Sequence, residues 1–269
     1  MSDDAPFAAI ALPPQRSRTK PRSKGLTMMA DFGVPLKHQE DVLELAGQHL
    51  DFAKIATGSS RLYRRSYLLD KLALYKAHAV RPFIGGQFFE FVLAHHGWKA
   101  IPGFFAEARE LGFETIEISD NCIPLGADER ERATREAIGH GLSVMGEVGS
   151  KNDENDVQDL MKQARHFFEV GAEYVLVEAA ELVSGGQLQQ DMLSALREGL
   201  DFDRVMIELP GPWISGVSHH LIEDMKKALI AEFGPDVNIA NVHAEDLFAT
   251  EAMRVGLGVV GPTQRFVPD

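Results

Sequence analysis

Four glutamates recur at one position of a repeating pattern. Glu117 lies in F-E-T-I-E-I-S, Glu147 in L-S-V-M-G-E-V, Glu178 in Y-V-L-V-E and Glu208 in R-V-M-I-E-L, each near the end of a short apolar segment. Side chains alternate between the two faces of a strand. That count puts Thr115, Glu117 and Ser119 on one face, and pairs Met145 with Glu147, Leu176 with Glu178 and Met206 with Glu208. Four consecutive strands therefore bring a carboxylate to the same end. Crowded carboxylates raise one another's pKa unless a cation sits among them. Carboxylate oxygens suit a hard divalent ion, and no Cys or His cluster favours zinc, so the pattern points to Mg²⁺. Lys54 and Lys151 offer further positive charge. Any one of these glutamates, taken alone, is equally well a lysine partner or a helix cap; the recurrence is what argues for a shared site.

The neighbouring positions are less specific. Asp31 and Asp120 end or follow strands, where a ligand contact and a turn or N-cap role are equally natural. Asn238 and Asn241 bracket the last strand, with loop hydrogen bonding as the plain alternative. His95-His96 and His219-His220 read as surface pairs. Cys122 has no assignable histidine partner, which argues against a nucleophile. Trp98 reads as packing, whereas Trp213, beyond the seventh strand, could border a ligand. Asp31, Ser119, Asn241 and Trp213 are the candidate substrate contacts.

The elements that must position these groups alternate regularly. Strand-like segments cover 26–31, 50–56, 80–84, 113–119, 142–148, 174–178, 204–209 and 237–242. Helical patterns cover 40–49, 67–78, 101–111, 128–140, 156–170, 188–199, 215–233 and 244–255. Gly112, Gly141, Gly171 and Gly234 follow their helices as C-terminal caps do. Eight strand–helix units in this length predict a (β/α)8 TIM barrel, α/β in class. An open doubly wound sheet shows the same alternation, but the turn after the first strand reads D-F-G-V-P-L-K-H-Q-E, without G-x-G-x-x-G. Residues 1–24, with Pro13, Pro14 and Pro21, are expected as an extended N-terminal arm, and 25–269 as one barrel domain.

Composition narrows the function classes. The 269 residues carry Lys+Arg 27 against Asp+Glu 40, a formal charge of -13, which argues against nucleic acid and anionic membranes as partners. No apolar run reaches the length of a membrane span. The single cysteine suits a reducing cytoplasm, and the basic residues before position 25 lack the apolar stretch of a secretion signal.

Four segments together resemble the phosphosulfolactate synthase family: K-P-R-S-K-G-L-T-M-M at 20–29, G-F-E-T-I-E-I-S-D at 112–120, G-E-V-G-S-K at 146–151 and F-G-P-D-V-N-I-A-N at 233–241. The resemblance runs from about Lys20 to Gly258 and keeps the order of every strand. It implies a (β/α)8 barrel that adds sulfite to phosphoenolpyruvate with Mg²⁺, forming a C–S bond, and that associates as a homo-oligomer. It implies Lys151 as the proton donor and Lys54 as a charge partner, with Glu117, Glu147, Glu178 and Glu208 as the metal candidates. Two departures stand out. Where the family tends to read E-A-R-E-S-G, this chain has Ala180 in place of the arginine; where it reads G-L-R-G-D-T, this chain has Gly258. Losing two guanidinium groups weakens the handling of two anions, with Arg22, Arg61 and Arg81 as possible replacements. The resemblance therefore also admits a Mg²⁺-dependent lyase or hydrolase acting on a less anionic carboxylate, and a non-catalytic stress-associated member.

Overall fold

The computed structural model describes residues 6–12, 15–149, 157–178, 183–184, 187–188, 190–211 and 216–259. Eight parallel strands close into a barrel: β1 (Thr27–Asp31), β2 (Phe52–Ile55), β3 (Arg81–Ile84), β4 (Thr115–Ile118), β5 (Ser143–Val148), β6 (Tyr174–Glu178), β9 (Val205–Glu208) and β10 (Ile239–Val242). A two-stranded antiparallel hairpin, β7 (Val183–Ser184) with β8 (Gln187–Leu188), lies between β6 and β9 in sequence. The helices are α1 (Leu36–Ala46), α2 (Arg65–Ala77), α3 (Gly86–His96), α4 (Ile101–Leu111), α5 (Ala127–Gly139), α6 (Val157–Val170), α7 (Gln190–Gly199), α8 (His219–Phe233) and α9 (Leu247–Arg254). The expected (β/α)8 barrel is thus what the chain forms.

The period-two pattern of the strands divides two cores. Outward residues such as Ile55, Ile84, Ile116, Val144, Val175 and Ile207 pack under the helices. Inward residues Met28, Phe52, Phe83, Met145, Leu176, Met206 and Ala240 form a separate buried cluster that fills the barrel. Phe52 meets Phe83 and Tyr174 edge-on, with centroids 6.4 and 5.5 Å apart. Two residues further along the same inward faces stand Lys54, Glu117, Glu147, Glu178 and Glu208, all under 8% exposed. An apolar plug thus supports a charged layer at the C-terminal ends of the strands.

Three features depart from the sequence pattern. Helix α3 precedes α4 between the third and fourth strands, where only the helix at 101–111 was expected. Its sequence G-Q-F-F-E-F-V-L-A-H-H is apolar on nearly every side, so it presents no stripe of helical period. Helix α1 starts at Leu36, a turn before the expected position 40, because the chain enters it from extended Pro35. Residues 15–24 do not stand off as an extended arm. Arg16 binds Glu251 and Asp236, Lys20 donates to the carbonyls of Gly47 and His78, and Arg22 forms a two-pronged pair with Asp51 at 3.0 and 2.7 Å. Asp51 also accepts from the Thr27 amide at 2.8 Å, so this segment is stitched to the N-terminal end of the barrel. No helix among the described residues is long and apolar enough to cross a membrane.

Candidate active site

The charged layer is organised around Lys54, the third residue of β2. Its Nζ lies 2.8 Å from Glu117 Oε2 and 2.5 Å from Glu208 Oε1. Burial acts to lower the pKa of this ammonium, but the Coulombic pull of Glu117, Glu208 and Glu147 outweighs it and raises the pKa above the usual lysine value. Lys54 is therefore a fixed cation at neutral pH. Further donors reach three of the glutamates from the segments after the strands. Glu117 Oε1 accepts the Gly86 amide at 2.9 Å, Glu147 Oε1 accepts Asn121 Nδ2 at 2.7 Å, and Glu208 Oε1 accepts Asn241 Nδ2 at 2.6 Å.

Gly86 opens α3, and its lack of a side chain matters here. A Cβ at that position would lie 2.2 Å from Ser119 Oγ and 2.9 Å from Glu117 Oε1, so only glycine lets the first turn of α3 reach the carboxylate. Above the layer opens a cavity of about 280 Å³, lined among others by Phe32, Thr57, Gly85, Gln87, Asn121 and Asn241. Thr57 and Asn241 hold left-handed backbone with φ of 54° and 60°. Asparagine tolerates that region, but a β-branched threonine there is strained, a feature that clusters at functional sites.

One carboxylate oxygen from each of Glu147, Glu178 and Glu208 lies within 4.8 Å of the other two. Four buried carboxylates stand around Lys54 in this layer. Hard oxygen donors at this spacing fit a divalent cation such as Mg²⁺, which binds through one or two carboxylates and keeps its other positions for water and substrate. Asn241 Oδ1 is buried beside them and accepts no hydrogen bond from the described residues. The donor set and its charge fit the ion.

Of the expected substrate contacts, Asn241 lines this cavity. Asp31 and Ser119 do not. The Asp31 carboxylate is fully buried and taken up by Lys71 at 2.8 Å, the Tyr75 hydroxyl at 2.7 Å and the amides of Gly33 and Val34. Ser119 gives its hydroxyl to Glu90 of α3. Both stand at strand ends, but helix side chains claim them from behind. Lys151, Trp213 and Ala180 lie outside the described residues. Asn238 accepts the Leu26 amide at 2.8 Å and donates to the carbonyls of Asp203 and Val205, tying strands at the opposite end. Asp120 pairs with Arg130 at 2.7 Å. The histidine pairs are exposed, as is Cys122, and Trp98 packs against the core under the Arg132 guanidinium.

None of the three replacement arginines reaches the charged layer. Arg22 and Arg81 serve Asp51 and Glu173 at the N-terminal end of the barrel, and Arg61 lines a separate groove with Arg65 and Phe88. At Gly258 a Cβ would stand 2.9 Å from Met253 Cα, so no longer side chain fits without moving backbone. The sequence reading missed Gly86, Asn121 and Thr57. The G-G pair closing the third strand was the available signal for the first; the other two depend on contacts across the barrel. A second grouping, His219, Glu223 and Asp246, sits on the outer rim, where the buried Lys226 ammonium already pairs with Glu223.

Fold and site together define a (β/α)8 barrel with a buried, lysine-bridged carboxylate cluster at the C-terminal ends of its strands, the face on which such barrels carry out chemistry. The family model for (2R)-phospho-3-sulfolactate synthase matches residues 15–259, and the chain belongs to that enzyme family. It is 33% identical to the phosphosulfolactate synthase of Methanothermobacter thermautotrophicus, over 91% of this chain and 94% of that one. It is 30% identical to the phosphosulfolactate synthase of Methanocaldococcus jannaschii, over 87% and 92% of the two chains. Among solved structures it is similar to the carboxyl transferase domain of Rhizobium etli pyruvate carboxylase with pyruvate and biocytin, at a TM-score of 0.56 and 12% identity, over 84% of this chain. It spans 41% of that structure's length, and the likeness is one of fold.

Proposed function

We propose that this protein adds sulfite to the methylene carbon of phosphoenolpyruvate in a Mg²⁺-dependent step, yielding phosphosulfolactate. The observation that carries the reading is the convergence of Glu147, Glu178 and Glu208 on one 4.8 Å cluster beside Lys54, in a member of this family. Sulfite is a good nucleophile and needs little activation. As its sulfur bonds to the methylene carbon, the double-bond electrons move onto C2 and the substrate carboxylate. Mg²⁺, when bound, stabilises that developing negative charge. Lys54 holds Glu117 and Glu208 in place for metal and substrate. A second ammonium must deliver the proton to C2; Lys151, in G-E-V-G-S-K, is our choice for it. The phosphate ester stays intact throughout.

A second reading has its own support. Lys54 is the only cationic side chain lining the cavity among the described residues, and Gly258 has no room for a guanidinium. That combination suits a less anionic carboxylate handled by the same Mg²⁺-assisted lyase chemistry. Phosphorus NMR of the purified protein with phosphoenolpyruvate, sulfite and Mg²⁺ separates the two. A new phosphate monoester resonance that requires sulfite and disappears with EDTA is the expected result. No conversion, while Mg²⁺ still raises the melting temperature, would overturn the synthase reading and favour the second.

A further inference from the structure

We propose that Glu90, a buried carboxylate on α3 that the chemistry above does not use, is a positioning residue that sets the carboxylate cluster through Asn121. Glu90 is 1% exposed and sits one helical turn beyond Gly86, whose amide holds Glu117. It points at the loop after β4. Its Oε1 accepts the Ser119 hydroxyl, and its Oε2 accepts the amides of Cys122 and Ile123 at 2.5 and 3.0 Å. These contacts clamp both sides of Asn121. The amide of Asn121 in turn donates to Glu147 at 2.7 Å, inside the cavity. Next to it, Asp120 is held by Arg130 at 2.7 Å, so the loop is fixed from two helices while Asn121 alone projects inward.

The physical case is one of cost and return. A buried carboxylate is expensive unless its oxygens are satisfied, and here three donors from a single loop satisfy it. A clamp of that kind restricts the loop far more than a chain turn needs. Its one inward product is the orientation of the Asn121 amide on a cluster carboxylate, the type of supporting contact whose loss lowers metal affinity or activity by about 10–100-fold. Helix α3 therefore acts on the site twice, through the Gly86 amide on Glu117 and through Glu90, by way of the loop, on Glu147. This inference deepens the functional reading above and rests on it for its consequence in turnover, but not for its structural content.

The test uses the full chain labelled with ¹⁵N-asparagine, the side-chain signal of Asn121 being identified by its loss in Asn121→Ala. In the wild type that amide should exchange slowly and shift in Glu147→Gln. In Glu90→Gln, which keeps the shape but faces the loop donors with an NH₂ group, it should move to a solvent-like position with fast exchange. An unchanged Asn121 amide in folded Glu90→Gln would overturn the proposal. If that variant does not fold, Ser119→Ala, which removes one of the three donors, should give a smaller shift in the same direction, and no shift would again refute it. Mn²⁺ affinity and kcat supply the second readout. Glu90→Gln should lower both by about 10–100-fold in the wild-type background and by no more than about twofold in Asn121→Ala, because the two act in series. Fully additive losses would show that Glu90 is structural only. If the amide responds but the wild type neither binds Mn²⁺ nor converts phosphoenolpyruvate, the positioning stands and the functional reading falls.

Discussion

Lys54 serves two buried carboxylates at once, which makes it the residue on which the charged layer depends. Removing one partner of a buried ion pair leaves uncompensated charge and costs about 3–5 kcal/mol. Lys54→Met is expected to lower stability by about that amount at pH 7 in EDTA, measured by urea denaturation. A variant as stable as the wild type would mean that Lys54 does not balance those two carboxylates. At this scale the sequence showed a good deal. The glutamates and Lys54 were legible because a strand's two-residue period and its C-terminal end fix where a side chain goes. Asp31 and Ser119 sit at equivalent strand ends, but their fate is decided by Lys71, Tyr75 and Glu90 on helices distant in sequence, and local pattern carries no trace of those partners.

At the scale of elements, the barrel strands were legible because each is a short apolar run punctuated by glycine-capped helices. Helix α3 was not, because it buries Phe89 and Val92, exposes Phe91 and packs Phe88 against the core, leaving no polar stripe to mark its period. Its placement depends on the bare backbone at Gly86. Gly86→Ala would put a methyl 2.2 Å from Ser119 Oγ, and neither the strand nor the helix can yield freely. The expected cost is about 1–3 kcal/mol, with the Glu117 contact lengthened. Gly103→Ala in α4 is the matched control, since nothing lies within 4 Å of its added methyl; it should hold or raise stability. Equal thermal midpoints for the two variants would mean that α3 does not approach β4 as closely as the structure has it.

Across the whole molecule, charge is sorted between the two ends of the barrel. Carboxylates crowd the C-terminal mouth, while Arg16, Arg22, Arg81 and Arg254 gather at the N-terminal end, where their partners are Glu251, Asp51, Glu173 and backbone carbonyls. The basic residues before position 25 looked in sequence like a loose arm because their acidic partners are scattered from Asp51 to Glu251. Lys20 shows what this closing segment costs and how to measure it. Its ammonium is half-buried and donates to the Gly47 and His78 carbonyls at 2.9 and 3.0 Å. Burial lowers its pKa to about 8; nearby Arg22 adds to that and Asp51 opposes it. Below pH 8 both folded and unfolded chains hold the proton, and the penalty for burying the charge is constant. Between about 8 and the unfolded value near 10.5 the folded chain has released a proton that the unfolded chain still binds, so this group's contribution to stability rises with pH. Lys20→Met abolishes that titration. The stability difference, wild type minus variant, should therefore be flat up to pH 8 and climb in the wild type's favour toward pH 10, read from urea midpoints across the series. A difference that stays level over the whole range would return Lys20 to an ordinary solvated lysine and detach the segment from the barrel's closed end.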